Sequence, residues 1–157
     1  ESDNRVTYTI VNDDTTVEIH NATSVLEGDE NGAYLEFDVV RKGQIENSSS
    51  SVTWTVQDGS ATITDDLTSE SDKTGSLSFD AGSTNISTTV VDGYGEQTQK
   101  VKVYIKGDTT VEPHQSLSVS LSDATDSDGI ATGKGIATGT ILNDEDNVLK
   151  KNIFVLT

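Results

Sequence analysis

The sequence predicts an all-β domain, an Ig-like antiparallel β-sandwich of about seven strands. Three observations predict it: apolar residues recur at every second position in short runs, clusters of Gly, Asn, Asp and Ser separate those runs, and no helical period competes with them. Each run therefore has one dry face and one wet face, and two sheets packed dry face to dry face satisfy all of them at once.

The runs are read in order. Val17 and Ile19 open the series, followed by Leu35, Phe37 and Val39 alternating with Glu36 and Asp38, and by Val52, Trp54 and Val56 alternating with Thr53 and Thr55. Leu77 and Phe79 form a shorter run. Val101, Val103 and Ile105 are split by Lys102 and Tyr104, Leu117, Val119 and Leu121 by Ser118 and Ser120, and Ala137, Gly139 and Ile141 close the series. Thr and Ser fill the outward positions, where β-propensity favours Thr in particular. Between Phe79 and Gly95, Ile86, Val90 and Val91 with an Asp92-Gly93 turn suggest an extra β-ribbon inserted around residues 80–94.

Composition bounds the function. A chain of 157 residues allows one domain of ordinary size. Its net charge of −17 is the wrong sign for gripping nucleic acid phosphates or an anionic membrane surface. No apolar run approaches the roughly 18 residues of a membrane helix. Zero Cys excludes disulfides, thiol catalysis and thiolate metal sites, and is compatible with an extracellular or cell-surface location. The absence of Met predicts a processed or excised piece.

Thr9-Ile10-Val11-Asn12-Asp13-Asp14 resembles Thr140-Ile141-Leu142-Asn143-Asp144-Glu145, which suggests that one copy was cut from a tandem array. On that reading residues 1–14 are the remnant of a preceding repeat or linker, 15–146 the domain, and 147–157 a linker or tail.

The acids have an address. Glu27, Asp58, Asp108 and Asp144 each follow the C-terminal end of a strand region, and in an antiparallel sandwich strands of one parity finish at one pole. Glu112 lies close after Asp108, and Asn143, Glu145 and Asp146 extend the terminal cluster. Carboxylates gathered within a few ångströms oppose one another's ionisation, and a hard dication relieves this; Ca²⁺ accepts about 6–8 oxygens in loose geometry. The competing account is a solvated acidic rim.

Other motifs are weaker. Asp126-Ser127-Asp128-Gly129 has Ala124 and Gly135 where an EF-hand needs its first Asp and its Glu, so it reads as a polar turn. His20 and His114 lie in no zinc or hydrolase signature, and His114 reads as an exposed loop residue. No aromatic-lined cleft accompanies the acids, as glycosidase chemistry would need, so no catalytic residue is expected and the chain does not read as an enzyme. Asn21-Ala22-Thr23, Asn47-Ser48-Ser49 and Asn85-Ile86-Ser87 fit the N-glycosylation pattern.

Val25-Leu26-Glu27-Gly28-Asp29, Gln57-Asp58-Gly59-Ser60-Ala61, Gly75-Ser76-Leu77-Ser78-Phe79, Asp108-Thr109-Thr110-Val111-Glu112-Pro113 and Gly139-Thr140-Ile141-Leu142-Asn143-Asp144 follow one another in the order of a Calx-β domain, which the chain resembles over roughly residues 17 to 146. Members of that family are Ig-like sandwiches that bind Ca²⁺ at one pole. They occur in sodium/calcium exchangers, in an integrin β-subunit tail and in tandem arrays of adhesion proteins. The resemblance implies that Glu27, Asp58, Asp108, Glu112 and Asp144 supply carboxylates and that the Thr110 carbonyl is a backbone ligand. The sequence departs from the pattern at His114 and Gln115, where an acidic pair is usual, and at Asn143-Asp144-Glu145, where three Asp are common.

The leading expectation is a calcium-binding adhesive module of a large extracellular multi-repeat protein, with calcium stiffening the junction to neighbouring repeats of the same chain. A cell-surface protein or glycan is a further expected partner, and neither nucleic acid nor membrane insertion is expected. The alternatives are a calcium-sensor domain of a sodium/calcium exchanger-type transporter, and a glycan- or protein-binding module that uses the inserted ribbon.

Overall fold

The computed structural model describes residues 14–69, 71–82, 93–126 and 129–145. Nine strands lie in these segments, with no helix among them: β1 (Thr15–Ile19), β2 (Val25–Leu26), β3 (Tyr34–Gln44), β4 (Ser50–Gln57), β5 (Thr74–Phe79), β6 (Tyr94–Tyr104), β7 (Gln115–Asp126), β8 (Ile130–Thr132) and β9 (Ile136–Leu142). They form a four-stranded sheet in the order β6-β3-β1-β8 and a five-stranded sheet in the order β2-β9-β7-β4-β5.

The alternation expected from the sequence fills the space between the sheets. Val17, Ile19, Leu35, Phe37, Val39, Val101 and Val103 come from one sheet, and Val52, Trp54, Val56, Leu117, Val119, Ala137 and Ile141 from the other; all are buried. Each large side chain so placed contributes about 1.5–3 kcal/mol of transfer free energy. Gly139 lets the two sheets pack closely at its position. A Cβ there would stand 2.6 Å from Leu35 Cδ1 and 2.9 Å from Phe37 Cζ, so the absent side chain is what lets the sheets close.

The structure adds two short strands to the expected seven. The first strand region is split: β1 pairs antiparallel with β3, then the chain crosses to the other sheet, where β2 pairs parallel with β9. Three residues after Ile130, the chain has already left β8, which pairs parallel with β1. Two- and three-residue strands are too short to show a period. Asp126, expected in a turn, instead ends β7 and is buried against Arg41, with Arg41 Nη2 to Asp126 Oδ2 at 3.2 Å. The Thr9–Asn12–Asp13 stretch, most of the 80–94 ribbon, Asn85, Asp146 and residues 147–157 lie outside the described residues.

Candidate metal centre

Strand direction delivers the acids to one pole. Because β2 runs parallel to β9, and β4 and β9 are both antiparallel to β7, these three strands point the same way, and Glu27, Asp58 and Asp144 follow their ends. It is β2, not the strand of Val17 and Ile19, that carries Glu27 there. The exit of β6 is tied to the same pole by three hydrogen bonds: Ile105 N to Ala33 O at 2.8 Å, Lys106 N to Asp66 O at 2.9 Å and Gly107 N to Asn31 Oδ1 at 3.1 Å. Gly107 makes this contact possible. A Cβ there would lie 2.4 Å from Glu30 O and 2.5 Å from Gly28 O, both backbone atoms that cannot swing aside.

Glu27 is the centre of the cluster. It is only 4% exposed, and its backbone N–H is fixed to Leu142 O at 3.0 Å. Burial, reinforced by the charges of Asp108, Glu112, Glu145 and Asp66, pushes its carboxyl up to about 7. Asp108 is held the other way, below the usual carboxylate range, because the Thr110 N–H donates to its Oδ1 at 2.6 Å and the Thr110 side chain adds a further hydrogen bond. A second group sits at the chain's exit: carboxylate oxygens of Asp29, Asp144 and Glu145 lie within 4.8 Å of one another. Asp144 Oδ1 accepts from Gly28 N at 3.1 Å, at a glycine whose φ of +78° turns the chain between Glu27 and Asp29.

Asn143 and Glu145 join the two groups. The Asn143 side-chain amide donates to Thr110 O at 3.1 Å and to Glu145 Oε2 at 2.5 Å, and its backbone N–H donates to His114 Nδ1 at 3.1 Å. His114, expected to be a plain exposed loop residue, is exposed but anchors this turn. The Thr110 carbonyl, expected to face a metal, is engaged by Asn143. Among the described residues, Asn143 Oδ1 and Glu145 Oε1 are buried oxygens without a hydrogen-bond partner. Such atoms are costly unless something binds them.

The structure thus brings Glu27, Asp108, Glu112, Asn143, Asp144 and Glu145 into one region, with Thr110 beside them. Asp58, at the end of β4, is exposed and accepts from Ile63 N at 2.7 Å, closing its own loop. The same loop carries Asp66, which sequence reasoning missed. Asp66 is 9% exposed, accepts from Thr62 N at 2.6 Å and adds its charge to those acting on Glu27. Asp29 was missed too, although it stands in the quoted Glu27-Gly28-Asp29 turn. The signals were an Asp65-Asp66 pair and an acid two residues beyond Glu27, neither of them directly after a strand run.

The donor set fits a hard cation. It consists of carboxylate and amide oxygens, two of them orphaned and buried, with no sulfur anywhere in the chain. The Calx-beta domain family profile matches residues 11–92 and 85–145. The chain belongs to the Calx-beta domain family. Among solved structures, the apo-form Calx CBD1 domain is 25% identical with a TM-score of 0.62, over 83% of this chain and 97% of that one. The calcium binding domain CBD12 of CALX1.1 is 25% identical with a TM-score of 0.62, and this Calx-beta domain spans 47% of its length. The Calx CBD2 domain, at 14% identity and a TM-score of 0.58, shares the fold. No curated protein sequence matches.

Proposed function

We propose that this Calx-beta domain is a non-catalytic calcium-binding module of the regulatory kind. The observation that carries the reading is the pair of orphaned oxygens, Asn143 Oδ1 and Glu145 Oε1, beside a buried Glu27 whose ionisation its neighbours oppose. Glu27, Asp108, Glu112 and Glu145 would hold a cation on the inner side, and Asp29, Asp144 and Glu145 on the outer side, with Glu145 common to both. Ca²⁺ supplies positive charge and accepts irregular oxygen coordination, whereas Mg²⁺ demands near-octahedral geometry and keeps its water.

The sensor reading is favoured over the adhesive one because the similar solved structures are Calx CBD domains, one of them described as calcium binding. Loops from four strand ends meet at the pole, so a cation bound there draws them together, and a partner that touches the pole can read occupancy. The adhesive reading keeps one observation. Asp144 and Glu145 directly follow β9 and belong to the cluster, so calcium would hold the exit of the domain as well. Extracellular location and contact with neighbouring repeats go with that second reading.

Calcium calorimetry combined with hydrogen exchange tests the proposal. The expected result is saturable binding, with exchange slowed at residues 27–31, 106–112 and 143–145 and unchanged in β4 and β7. Glu145→Gln should weaken binding about tenfold or more, since it removes a charge shared by both groups. Absence of binding at millimolar calcium would refute it.

A further inference from the structure

Asn31-Gly32 is the one Asn-Gly step in the chain, and both residues are exposed, in the turn that leads from the Glu27 loop into β3. Gly32 has a φ of +148°, a backbone that residues with a side chain rarely adopt. Among the described residues no atom lies within 4 Å of where its Cβ would be, and its N–H donates to no acceptor. The Asn31 side chain is held at one atom: Oδ1 accepts from Gly107 N at 3.1 Å, while its amide nitrogen has no partner among the described residues.

We propose that Asn31 is a site of spontaneous deamidation, and that the reaction resets the tie between the Glu27 and Asp108 loops. The Gly32 nitrogen, once deprotonated, attacks Asn31 Cγ. The new N–Cγ bond closes a five-membered imide, the Cγ–Nδ2 bond breaks, and Nδ2 leaves as ammonia with the proton that Gly32 gave up. Water then opens the imide at either carbonyl. One opening gives aspartate on an unchanged main chain; the other gives isoaspartate, in which the main chain runs through Cβ and Cγ and is one carbon longer. Covalent adjacency brings the two atoms together, so what selects the site is an unhindered nucleophile and an unbound leaving group.

Other steps in the described residues lack one or both. At Asp58-Gly59 the Gly59 N–H donates to Ala61 O at 3.0 Å, and Ser116 O stands 2.3 Å from the position of a Cβ. Asn143 is buried with its amide nitrogen bound to Thr110 O and Glu145 Oε2, and the N–H of Asp144 donates to Glu145 Oε2 at 3.3 Å. Asn21 Oδ1 accepts from both Lys134 Nζ and Thr138 N, and Asn47 precedes the buried Ser48. The position of Asn31 gives the reaction its consequence. Closing the ring draws Oδ1 off the Gly107 N–H, so that one hydrogen bond is the latch the reaction must open. Aspartate restores an acceptor there and adds a negative charge next to Asp29 and Glu30 in the chain, whereas isoaspartate lengthens the loop and moves the carboxylate. The calcium part of the inference rests on the function proposed above: a cation held by Glu27 and Asp108 fixes both loops and keeps the latch shut.

The test incubates the whole chain at neutral and at mildly alkaline pH, in excess chelator and in saturating Ca²⁺, and follows ammonia release together with the acid formed at each asparagine by peptide mass mapping. In chelator Asn31 should convert ahead of every other asparagine, faster at the higher pH because the nucleophile is the deprotonated amide, and should give both aspartate and isoaspartate. Asn31→Gln, which would have to close a six-membered ring, should abolish this fast phase. Saturating Ca²⁺ should slow conversion at Asn31 several-fold. In calorimetry, Asn31→Asp should bind calcium at least as tightly as the unmodified chain, and the isoaspartate form, separated by ion exchange, several-fold more weakly. The site is overturned if Asn31 does not convert ahead of the other asparagines in chelator. Its coupling to the pole is overturned if calcium binds yet leaves the rate at Asn31 unchanged, or if isoaspartate leaves calcium affinity unchanged. Absence of calcium binding in calorimetry would remove the coupling together with the proposed function, and the chelator arm by itself would still decide the site.

Discussion

The two ends of the sandwich solve the burial of charge in opposite ways. At the end away from the acidic pole, Arg41 is wholly buried on the inward face of β3, where it meets Gln97 Oε1 at 3.1 Å, Gln44 O and Ser48 O at 2.9 Å, and the opposite charge of Asp126 Oδ2 at 3.2 Å, while Arg41 Nε and Gln44 Oε1 are buried without a partner among the described residues. Burial pulls the guanidinium's pKa down, and the Asp126 carboxylate works against that. At the acidic pole, Glu27 is almost as deeply buried, but the principal charges around it are negative. A buried charge met by an opposite one is part of the fold. One surrounded by like charges marks where a cation belongs.

That contrast is broken most forcefully at Arg41. Arg41→Ala should cost about 3–5 kcal/mol in urea unfolding, with or without calcium, because it strands Asp126 in the interior. Glu27→Gln should do the reverse, leaving the calcium-free protein as stable as wild type or more so while removing most calcium affinity. Were both substitutions equally destabilising, the two ends would not differ in the way described.

The pH dependence sharpens the same point. The folded-state pKa of Glu27 lies above its unfolded value, so between about pH 4.5 and 7 the native state binds the extra proton. Stability of the calcium-free protein should be fully present below that window and fall as pH rises through 7, by up to about 3 kcal/mol. Calcium should abolish the fall, since it takes the place of the proton, and its affinity should rise over the same window. Denaturant midpoints at pH 5, 6, 7 and 8, with chelator and with calcium, check both signs.

Smaller effects follow at the loops and the outer face. Gly107→Ala would force its Cβ against Glu30 O and Gly28 O, separating the loops of Glu27 and Asp108; calcium affinity should drop several-fold, read by calorimetry. Lys100, paired with Glu36 and with Asp38 on the outer face of the four-stranded sheet, is half exposed. Lys100→Ala should therefore change stability by less than about 1 kcal/mol and leave calcium binding unaltered.

What the sequence made legible was what repeats locally. Alternation located the inward positions of seven strands, including Trp54 and Gly139, and the acids after strand ends pointed to one pole. Strands β2 and β8 were illegible because two or three residues carry no period, yet β2 is what brings Glu27 to its place. Arg41 was illegible for a different reason: a charge on an inward position is tolerable only because Asp126, 85 residues further on, meets it. Asp66 and Asp29 join the site through loop closure, through Thr62 N–H and the Gly28 turn, and no strand pattern announces either of them. Asp58, by contrast, was marked by its strand end and is engaged in closing its own loop.

The central claim is that the acidic pole is incomplete without a hard cation. Thermal unfolding of the same preparation in excess chelator, in millimolar Mg²⁺ and in millimolar Ca²⁺ tests it most directly. Calcium at about 100 times its dissociation constant adds about 2.7 kcal/mol per site, which for a chain of this size raises the midpoint by roughly 5–10 °C. The account expects that rise in Ca²⁺, a clearly smaller one in Mg²⁺, and neither in Glu27→Gln. Superimposable melts in chelator and in Ca²⁺ would contradict it.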